Sequence, residues 1–231
     1  MPTSPAIGVR ARARAEMTAE IKRIAREHLV ADGPDLSLRA VARDLGVVSS
    51  AVYRYFDSRD ALLTALIIDA YNSLGETAES AEAPVPRRDL AGRWMALGRA
   101  IRTWAAARPH EYALLYGSPV PGYAAPQDTI GPATRPVLVM TAILRDGVER
   151  HGFTGSDRLP KPLRADLERI AADPGFAGVP PTVLARGMTA WAQLFGALSF
   201  ELFGRLTNAI TDYDLFFDHQ LRAMSNYLGL S

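Results

Sequence analysis

The chain has 231 residues, of which 48% are hydrophobic and 22% charged, as in an ordinary globular protein with a real core. Its net charge of +1 indicates no particular partner by itself, so charge has to be read locally. The absence of cysteine excludes disulfides, thiolate nucleophiles and cysteine-based zinc sites.

The most apolar stretch, residues 188–203, is interrupted by Gln193, Ser199 and Glu201. A membrane-spanning helix needs about 20 consecutive, predominantly apolar residues, so this stretch predicts a buried helix instead. Residues 1–9 lack the basic and apolar segments of a secretory signal. We therefore expect a cytoplasmic protein without a membrane segment.

Helical periodicity occurs in nearly every segment, and no segment alternates convincingly between apolar and polar residues as a half-buried strand does. The sequence therefore predicts an all-α fold. Prolines and glycines at residues 32–34, 83–86, 118–127, 152–162 and 173–181 predict loops or helix boundaries. The predicted helices cover, in chain order, residues 14–31, 37–45, 49–56, 58–81, 89–107, 109–117, 132–150, 163–172, 182–206 and 214–228.

Residues 36–56 contain two short predicted helices separated by Gly46, and Ser37 is a good N-cap for the first. A helix of eight residues is only about 12 Å long, so each of them must be stabilised by packing. We expect four apolar residues to form their shared core: Val41, Leu45, Val52 and Phe56. This arrangement is typical of a helix-turn-helix, whose second helix can lie in the major groove of DNA.

Four residues of the second short helix are left on its outward side: Ser49, Ser50, Tyr53 and Arg54. Small residues let the start of this helix, with its partial positive charge, approach bases and phosphates closely. Tyr53 and Tyr55 can donate phenolic hydrogen bonds to phosphate, and Arg59 can donate a charge-assisted one. Arg39 is the best candidate for a contact with guanine O6 and N7.

Local charge agrees with this interpretation, because residues 10–59 contain ten Lys or Arg and seven Asp or Glu. The excess lies in Arg10, Arg12 and Arg14, which we expect to form a flexible basic arm suited to phosphate or minor-groove contact. Simpler interpretations stay open. The tyrosines could be half-buried aromatic residues, Arg39 and Arg43 could form a solvated face, and the arm could be a disordered tail.

The stretch LSLRAVARDLGVVSSAVYRYFDSRDALL, residues 36–63, closely resembles the DNA-binding domain of the TetR family of bacterial regulators. The resemblance covers roughly residues 14–70. It implies base contacts from Arg39, Ser49 and Ala51. It also implies phosphate contacts from four residues: Ser37, Tyr53, Tyr55 and Arg59. Tyr55 stands where histidine is frequent in the family and Arg59 where lysine is usual, and both substitutions retain a hydrogen-bond donor.

The sequence thus predicts a three-helix DNA-binding domain over residues 1–60, which includes the basic arm, and a helical ligand-binding and dimerisation domain over residues 61–231. The predicted helix at 182–206 is apolar on nearly all sides, so more than one of its faces must be covered. A homodimer would bind a palindromic operator in double-stranded DNA. We assign four residues to its interface: Phe195, Leu198, Leu202 and Phe203.

A ligand is expected from the resemblance, because TetR-like proteins usually bind a small-molecule effector in the helical domain. Five apolar or aromatic residues are candidates for lining its pocket: Trp104, Tyr112, Tyr116, Met140 and Trp191. The lack of clustered charge among them favours a mainly apolar ligand. The alternative, that they are ordinary core residues, stays open.

The sequence does not favour an enzyme. Its four histidines are scattered, and it has no nucleophile-elbow, Walker or dinucleotide-binding glycine pattern. His219 beside Asp218 could imitate a metal site, but a helix start with capping carboxylates explains the pattern better, so we expect no cofactor or metal. Three hypotheses remain: a ligand-responsive repressor, an activator or dual regulator on the same scaffold, and a helical ligand-binding protein without DNA binding.

Overall fold

The computed structural model describes residues 5–32, 36–152 and 158–230. Within these ranges the protein consists of helices and loops without a strand, which confirms the predicted all-α fold. Gly33 and Pro34, predicted to end the first helix, lie outside the described residues, as do residues 153–157 of a predicted loop. No helix in the described ranges is both long and apolar enough to cross a membrane. The helices are α1 (Pro5–Asp32), α2 (Leu38–Asp44), α3 (Ser49–Tyr53), α4 (Arg59–Glu82), α5 (Leu90–Ala107), α6 (Pro109–Tyr116), a short 3-10 helix (Gln127–Thr129), α7 (Ile130–His151), α8 (Lys161–Ala171), α9 (Pro181–Leu202) and α10 (Tyr213–Leu228).

The chain divides into two compact units. Unit 1 comprises Met1–Ala70 and His110–Thr129, and unit 2 comprises Tyr71–Pro109 and Ile130–Ser231. The boundary that the sequence suggested, residue 60, falls inside α4. The assignment of residues 110–129 to unit 1 was not foreseen, because no local pattern reveals which distant helices a segment packs against.

Unit 1 is built on α1, which begins nine residues before the predicted start at residue 14. The prediction of a flexible arm at Arg10–Arg14 is therefore wrong, since these residues belong to the helix. The apolar residues of α1 are spaced by three or four and fill the core together with those of α2, α3 and α4. The buried residues include Ile21, Ile24, Leu29, Leu38, Val41, Val52, Phe56, Leu62, Leu63 and Leu66.

Polar contacts hold the segment 110–129 in unit 1. Nε of Arg26, on α1, lies 3.2 Å from Oε1 of Glu111 on α6. The hydroxyl groups of Thr64 and Tyr123 are hydrogen-bonded at 2.9 Å. These contacts join residues that are 59 or more positions apart in the sequence.

Unit 2 is a bundle in which α5 packs against α7, α9 and α10. Trp94 of α5 is fully buried, and its indole Nε1 donates a hydrogen bond to the Leu221 carbonyl oxygen of α10 at 3.0 Å. One turn further along α5 is Gly98, where a Cβ atom would overlap the side chain of Leu221. This glycine therefore permits the close approach of α5 and α10.

Candidate nucleic-acid interface

Ser37 caps α2 as predicted. Its Oγ accepts a hydrogen bond from the backbone N–H of Ala40 at 3.4 Å, while its own backbone is extended. The cap aligns α2 so that Leu38 and Val41 are buried and Arg39 is exposed. The cap and the buried residues therefore hold this seven-residue helix in place, with the Arg39 side chain in solvent.

The turn between α2 and α3 depends on Gly46, whose φ of +70° lies in the left-handed region that glycine adopts without strain. The N–H of Gly46 donates to the Arg43 carbonyl, and the N–H of Val47 donates to the Ala42 carbonyl, both at 3.0 Å. This pair of bonds is a Schellman motif, which satisfies carbonyl groups at the end of α2. It turns the chain sharply enough for α3 to begin at Ser49.

The end of α2 is also fastened to α1. Nε2 of His28 lies 2.6 Å from Oδ2 of Asp44, the last residue of α2. This hydrogen bond is the main reason that the pKa of the Asp44 carboxyl lies below its usual value. The contact fixes the helix pair against the longest helix of unit 1.

α3 is shorter than predicted, because it ends at Tyr53 and not at Phe56. Phe56 is nevertheless buried, as is Val52, so the predicted anchoring of this segment from behind is correct for both residues. Val41 is buried as expected, whereas Leu45, the fourth predicted core residue, is only half-buried.

A surface concavity of about 350 Å³ lies between α2, α3 and the start of α4. Tyr53 in this concavity is 43% exposed, and Arg39 is exposed as well. The Arg59 side chain is 31% exposed, with Nη1 3.6 Å from Oδ1 of Asp60. The lining consists of Leu36, Ser37, Leu38, Arg39, Tyr53 and Arg59. Four of the residues predicted to contact DNA are therefore brought together on one surface, which we call the α2–α3 groove.

The other predicted DNA-binding residues lie outside the lining of the α2–α3 groove. Ser50 and Arg54 are exposed, and Ser49 and Ala51 are half-buried. Tyr55 follows α3 in a turn, and the guanidinium of Arg14 lies over its ring, 5.0 Å from the centroid. Arg14 therefore covers part of the Tyr55 ring.

Sequence reasoning missed Val48, which precedes Ser49 and is 71% exposed. It is the N-cap of α3 and has extended backbone geometry, so its side chain stands clear of the core. An apolar residue at the start of a recognition helix can contact the methyl group of thymine. The sequence shows two adjacent valines in this turn, of which only one can pack inward, but it does not show which one.

The five residues predicted for a ligand pocket are divided between the units. Tyr112, which is buried, and Tyr116, with ring centroids 5.4 Å apart, belong to unit 1. The other three lie in unit 2: Trp104 and Met140, which are buried, and Trp191, which is half-buried. The indole Nε1 of Trp104 donates a hydrogen bond to Ser73 Oγ at 3.0 Å.

A small cavity in unit 2 lies elsewhere. It measures about 150 Å³ and is lined by residues of α7, α9 and α10, including Leu144, Val183 and Leu228. None of the predicted pocket residues lines it. Its volume is below the range of about 300–1,000 Å³ that ligand pockets usually have.

The structure corrects two of the four residues predicted for a dimer interface. Leu198 is completely buried and Phe195 is 8% exposed, because both face the core of unit 2. Leu202 is half-buried, and Phe203, which is the C-cap of α9, is 48% exposed. When a helix has apolar residues on all sides, its sequence does not show which side packs against the rest of the same protomer.

The carboxylates near His219, which in the sequence could imitate a metal site, have other partners in the structure. Asp218 accepts hydrogen bonds from Arg99 at 2.8 and 2.5 Å, and Asp212 caps α10 by accepting from the N–H of Leu215 at 2.9 Å. Across the described ranges, no three His, Asp or Glu side chains are grouped so that they could hold a metal ion.

Comparisons with known proteins agree with this geometry. A family model described as "Bacterial regulatory proteins, tetR family" matches residues 23–66, and one described as "Tetracyclin repressor-like, C-terminal domain" matches residues 94–224. HTH-type transcriptional regulators of Mycobacterium tuberculosis and Mycobacterium bovis are 42% identical to this chain over 222 residues, which is 94% of each protein. The chain belongs to the TetR family.

Solved structures show the same TetR-family architecture. The crystal structure of a regulatory protein, 34% identical, matches with a TM-score of 0.76 and covers 94% of this chain and 98% of that one. The fold is also that of the TetR-family regulator PfmR from Thermus thermophilus, at a TM-score of 0.56 and 18% identity, over 87% of this chain and 97% of that one. As a TetR-family member, the protein is a transcriptional regulator with a DNA-binding helix-turn-helix, and the family is not one of enzymes.

Proposed function

We propose that the protein is a homodimeric repressor that binds a palindromic operator in the bacterial cytoplasm and releases it when a small, mainly apolar ligand binds. The DNA-binding part of this proposal is supported by the α2–α3 groove. Its concave surface is shared by Ser37, Arg39, Tyr53 and Arg59. The groove offers two guanidinium groups, a phenol and a hydroxyl, all of which donate hydrogen bonds. Phosphate oxygens and the acceptor edge of guanine are the DNA groups that match these donors.

Within the groove, the residues take different roles. Tyr53 and Arg59 flank the exposed end of α3 and the start of α4, a position suited to the phosphate backbone beside the major groove. Arg39 is the residue that we assign to a base, and Ser37 binds phosphate. Ser49, Ser50 and Ala51 are small, so the backbone of α3 approaches the bases closely, while Val48 meets a thymine methyl group.

The experiment is a selection of fragmented genomic DNA by the purified protein, followed by affinity measurements over a range of salt concentrations. Tyr53→Phe combined with Arg59→Ala is expected to weaken binding to every sequence and to reduce the dependence of log K on log salt by about 0.9 for each phosphate that is no longer neutralised. Arg88→Ala is the control, because it removes an exposed guanidinium from unit 2. Failure of the wild-type protein to bind DNA in dilute buffer would refute the proposed function.

The proposed homodimer is supported by the exposed side of α9. Met188 and Phe200 are 54% and 56% exposed and lie twelve residues apart on one side of the helix, with Ala192 and Gly196 between them. A Cβ atom at Gly196 would meet no atom within 4 Å. Exposed large apolar residues on one helix side normally mark an interface, and small residues between them let a second helix approach closely.

α10 extends this surface. It packs against α9, and Leu215 and Tyr227 are 70% and 43% exposed. Arg186 of α9 lies over the Tyr227 ring of α10, 5.5 Å from its centroid, and this contact joins the two helices. We propose that α9 and α10 of two protomers form the dimer interface, with Phe203 at its edge.

Release by a ligand is supported by what is typical of the family. Of the predicted pocket residues, Trp104, Met140 and Trp191 lie in unit 2, and we keep these three as the proposed lining of the effector pocket. The test uses a promoter that contains the selected fragment, transcribed in vitro with and without the protein. Lower transcription with the protein, restored by an apolar compound that also raises the protein's Tm, supports a ligand-responsive repressor, whereas higher transcription with the protein would identify an activator instead.

A further inference from the structure

The amino-terminal part of α1, residues 8–16, carries three exposed arginines that are not equivalent. We call this part the α1 extension. Each residue of an α-helix is rotated by about 100° from the one before it, so Arg10 and Arg14 lie one turn apart on the same side and Arg12 lies on the opposite side. Nε of Arg12 is bonded to Oε1 of Glu16 at 2.8 Å. The charge of Arg12 is thus paired, and it points away from the side that Arg10 and Arg14 share.

Arg14 fastens the α1 extension to the end of the recognition helix. Its Nη2 donates a hydrogen bond to the carbonyl oxygen of Arg54, the C-cap of α3, at 3.3 Å. The same guanidinium lies over the ring of Tyr55, 5.0 Å from the centroid. A cation is favourable at both places, because carbonyl groups at a helix C-terminus and the face of an aromatic ring are partly negative.

We propose that the α1 extension is a second DNA-contacting element, in which Arg14 is a positioning residue and Arg10 binds a phosphate of the backbone. The proposal rests on the proposed function, since it assumes that α3 enters the major groove. The wall of the major groove consists of sugar and phosphate. A segment fastened to the end of α3 is therefore held beside the DNA backbone. Arg10 lies about 6 Å further along α1 than Arg14, on the same side, and a guanidinium group binds phosphate well.

The test compares Arg10→Ala with Arg12→Ala in the full-length protein. The probe is a duplex recovered by genomic selection that covers both half-sites, and the dissociation constant is measured over a range of salt concentrations. Arg10→Ala is expected to reduce the slope of log K against log salt by about 0.9 for each phosphate that Arg10 neutralises in the wild type. Arg12→Ala removes the same charge from the opposite side and is expected to leave the slope unchanged.

Equal slopes for Arg10→Ala and the wild type, or equal reductions by the two substitutions, would overturn the proposal. These outcomes differ from failure of the proposed function, in which the wild-type protein itself would not bind the duplex. Replacing flanking A·T pairs by G·C pairs is expected to leave the effect of Arg10→Ala unchanged. A dependence on flanking sequence would overturn the phosphate contact in favour of minor-groove base recognition.

A double-mutant cycle tests the positioning role of Arg14. If Arg14 holds the α1 extension in place, Arg10→Ala is expected to change the slope less in an Arg14→Ala background than in the wild type. Full additivity of the two substitutions would show that Arg14 acts only through its own charge. Far-UV circular dichroism and thermal unfolding of each variant verify that the fold is retained.

Discussion

Arg39 and Arg43 lie one turn apart on α2, and both are exposed, yet only Arg39 lines the α2–α3 groove. In the sequence the two arginines differ only in their position along α2 and in the family resemblance, because arginine is so frequent in this chain that neither carries information by itself. Their difference arises from the Ser37 cap and the Gly46 turn, which set the rotation of α2 relative to α3. A residue's function here depends on geometry that its neighbours impose.

This difference gives a prediction for base recognition. Arg39→Ala is expected to relax the preference for guanine at one position of each half-site by about 1–3 kcal/mol, because alanine cannot make the bidentate hydrogen bonds to O6 and N7. Arg43→Ala is the matched control and is expected to keep the full preference. Affinities for a set of single-base variants of the selected duplex provide the measurement. An Arg39→Ala protein with the wild-type base preference would contradict the assignment.

At the scale of single residues, the sequence could predict four residues that line the α2–α3 groove, but not the exposure of every neighbouring residue. Ser37, Arg39, Tyr53 and Arg59 follow from the short-helix pattern and the family resemblance. The exposure of Val48 could not be predicted, because it depends on which of two adjacent valines packs inward.

At the scale of helices, the cores of the elements were predictable and their ends were not. Apolar spacing predicted the ten α-helices that the described residues form, but α1 begins earlier than predicted and α3 ends earlier. The first nine residues of α1 lack a regular apolar stripe, so nothing local distinguishes a helix from an arm there. The segment after Tyr53 leaves the helix because Phe56 turns into the core. Such ends are determined by packing with distant elements.

Charged pairs join α5 to the helices of the proposed interface. Arg102 of α5 bonds Glu201 of α9 at 2.8 to 3.0 Å and Asp214 of α10 at 2.6 Å. Arg99 makes a two-pronged contact with Asp218 of α10. The Arg99 guanidinium is the main cause that lowers the pKa of the Asp218 carboxyl below its ordinary value of 3.8. These pairs fix α10 in rotation as well as in position.

The lowered pKa of Asp218 predicts a pH-dependent contribution to stability. Because the folded-state pKa is below the unfolded-state value, the contribution is fully present above pH 3.8 and is lost as the pH falls through the folded-state pKa. The pair is partly exposed and contributes at most about 1 kcal/mol, so Asp218→Asn is expected to lower Tm by about 2–4 °C at neutral pH. Near pH 3 the difference from the wild type is expected to shrink. Arg99→Gln should give the same loss, and the double variant no more than either alone; additive losses would contradict the pairing.

At the scale of the whole molecule, the proposed function needs two copies. One helix-turn-helix presents a five-residue α3 and a small groove, which is little surface for specific recognition. The two half-sites of a palindrome are about 34 Å apart, one turn of DNA, and in a dimer the contacts of one α3 helix with each half-site add. The sequence indicated that α9 has excess apolar surface, but only the packing of unit 2 shows that Met188, Gly196 and Phe200 remain open while Leu198 does not.

Gly196→Glu tests whether this open side is the interface. The new side chain has open space in the protomer, so the fold is expected to be retained, whereas two carboxylates brought together between protomers would separate them. Gly131→Glu, also in open space but on α7, is the control and is expected to leave the oligomeric state unchanged. Sedimentation equilibrium gives the mass, and salt-dependent DNA binding gives the consequence: a monomer contacts one half-site and is expected to show about half the wild-type salt slope. A Gly196→Glu protein that stays dimeric would exclude this side of α9, and a monomer that binds the palindrome as tightly as the wild type would exclude cooperation between the two half-sites.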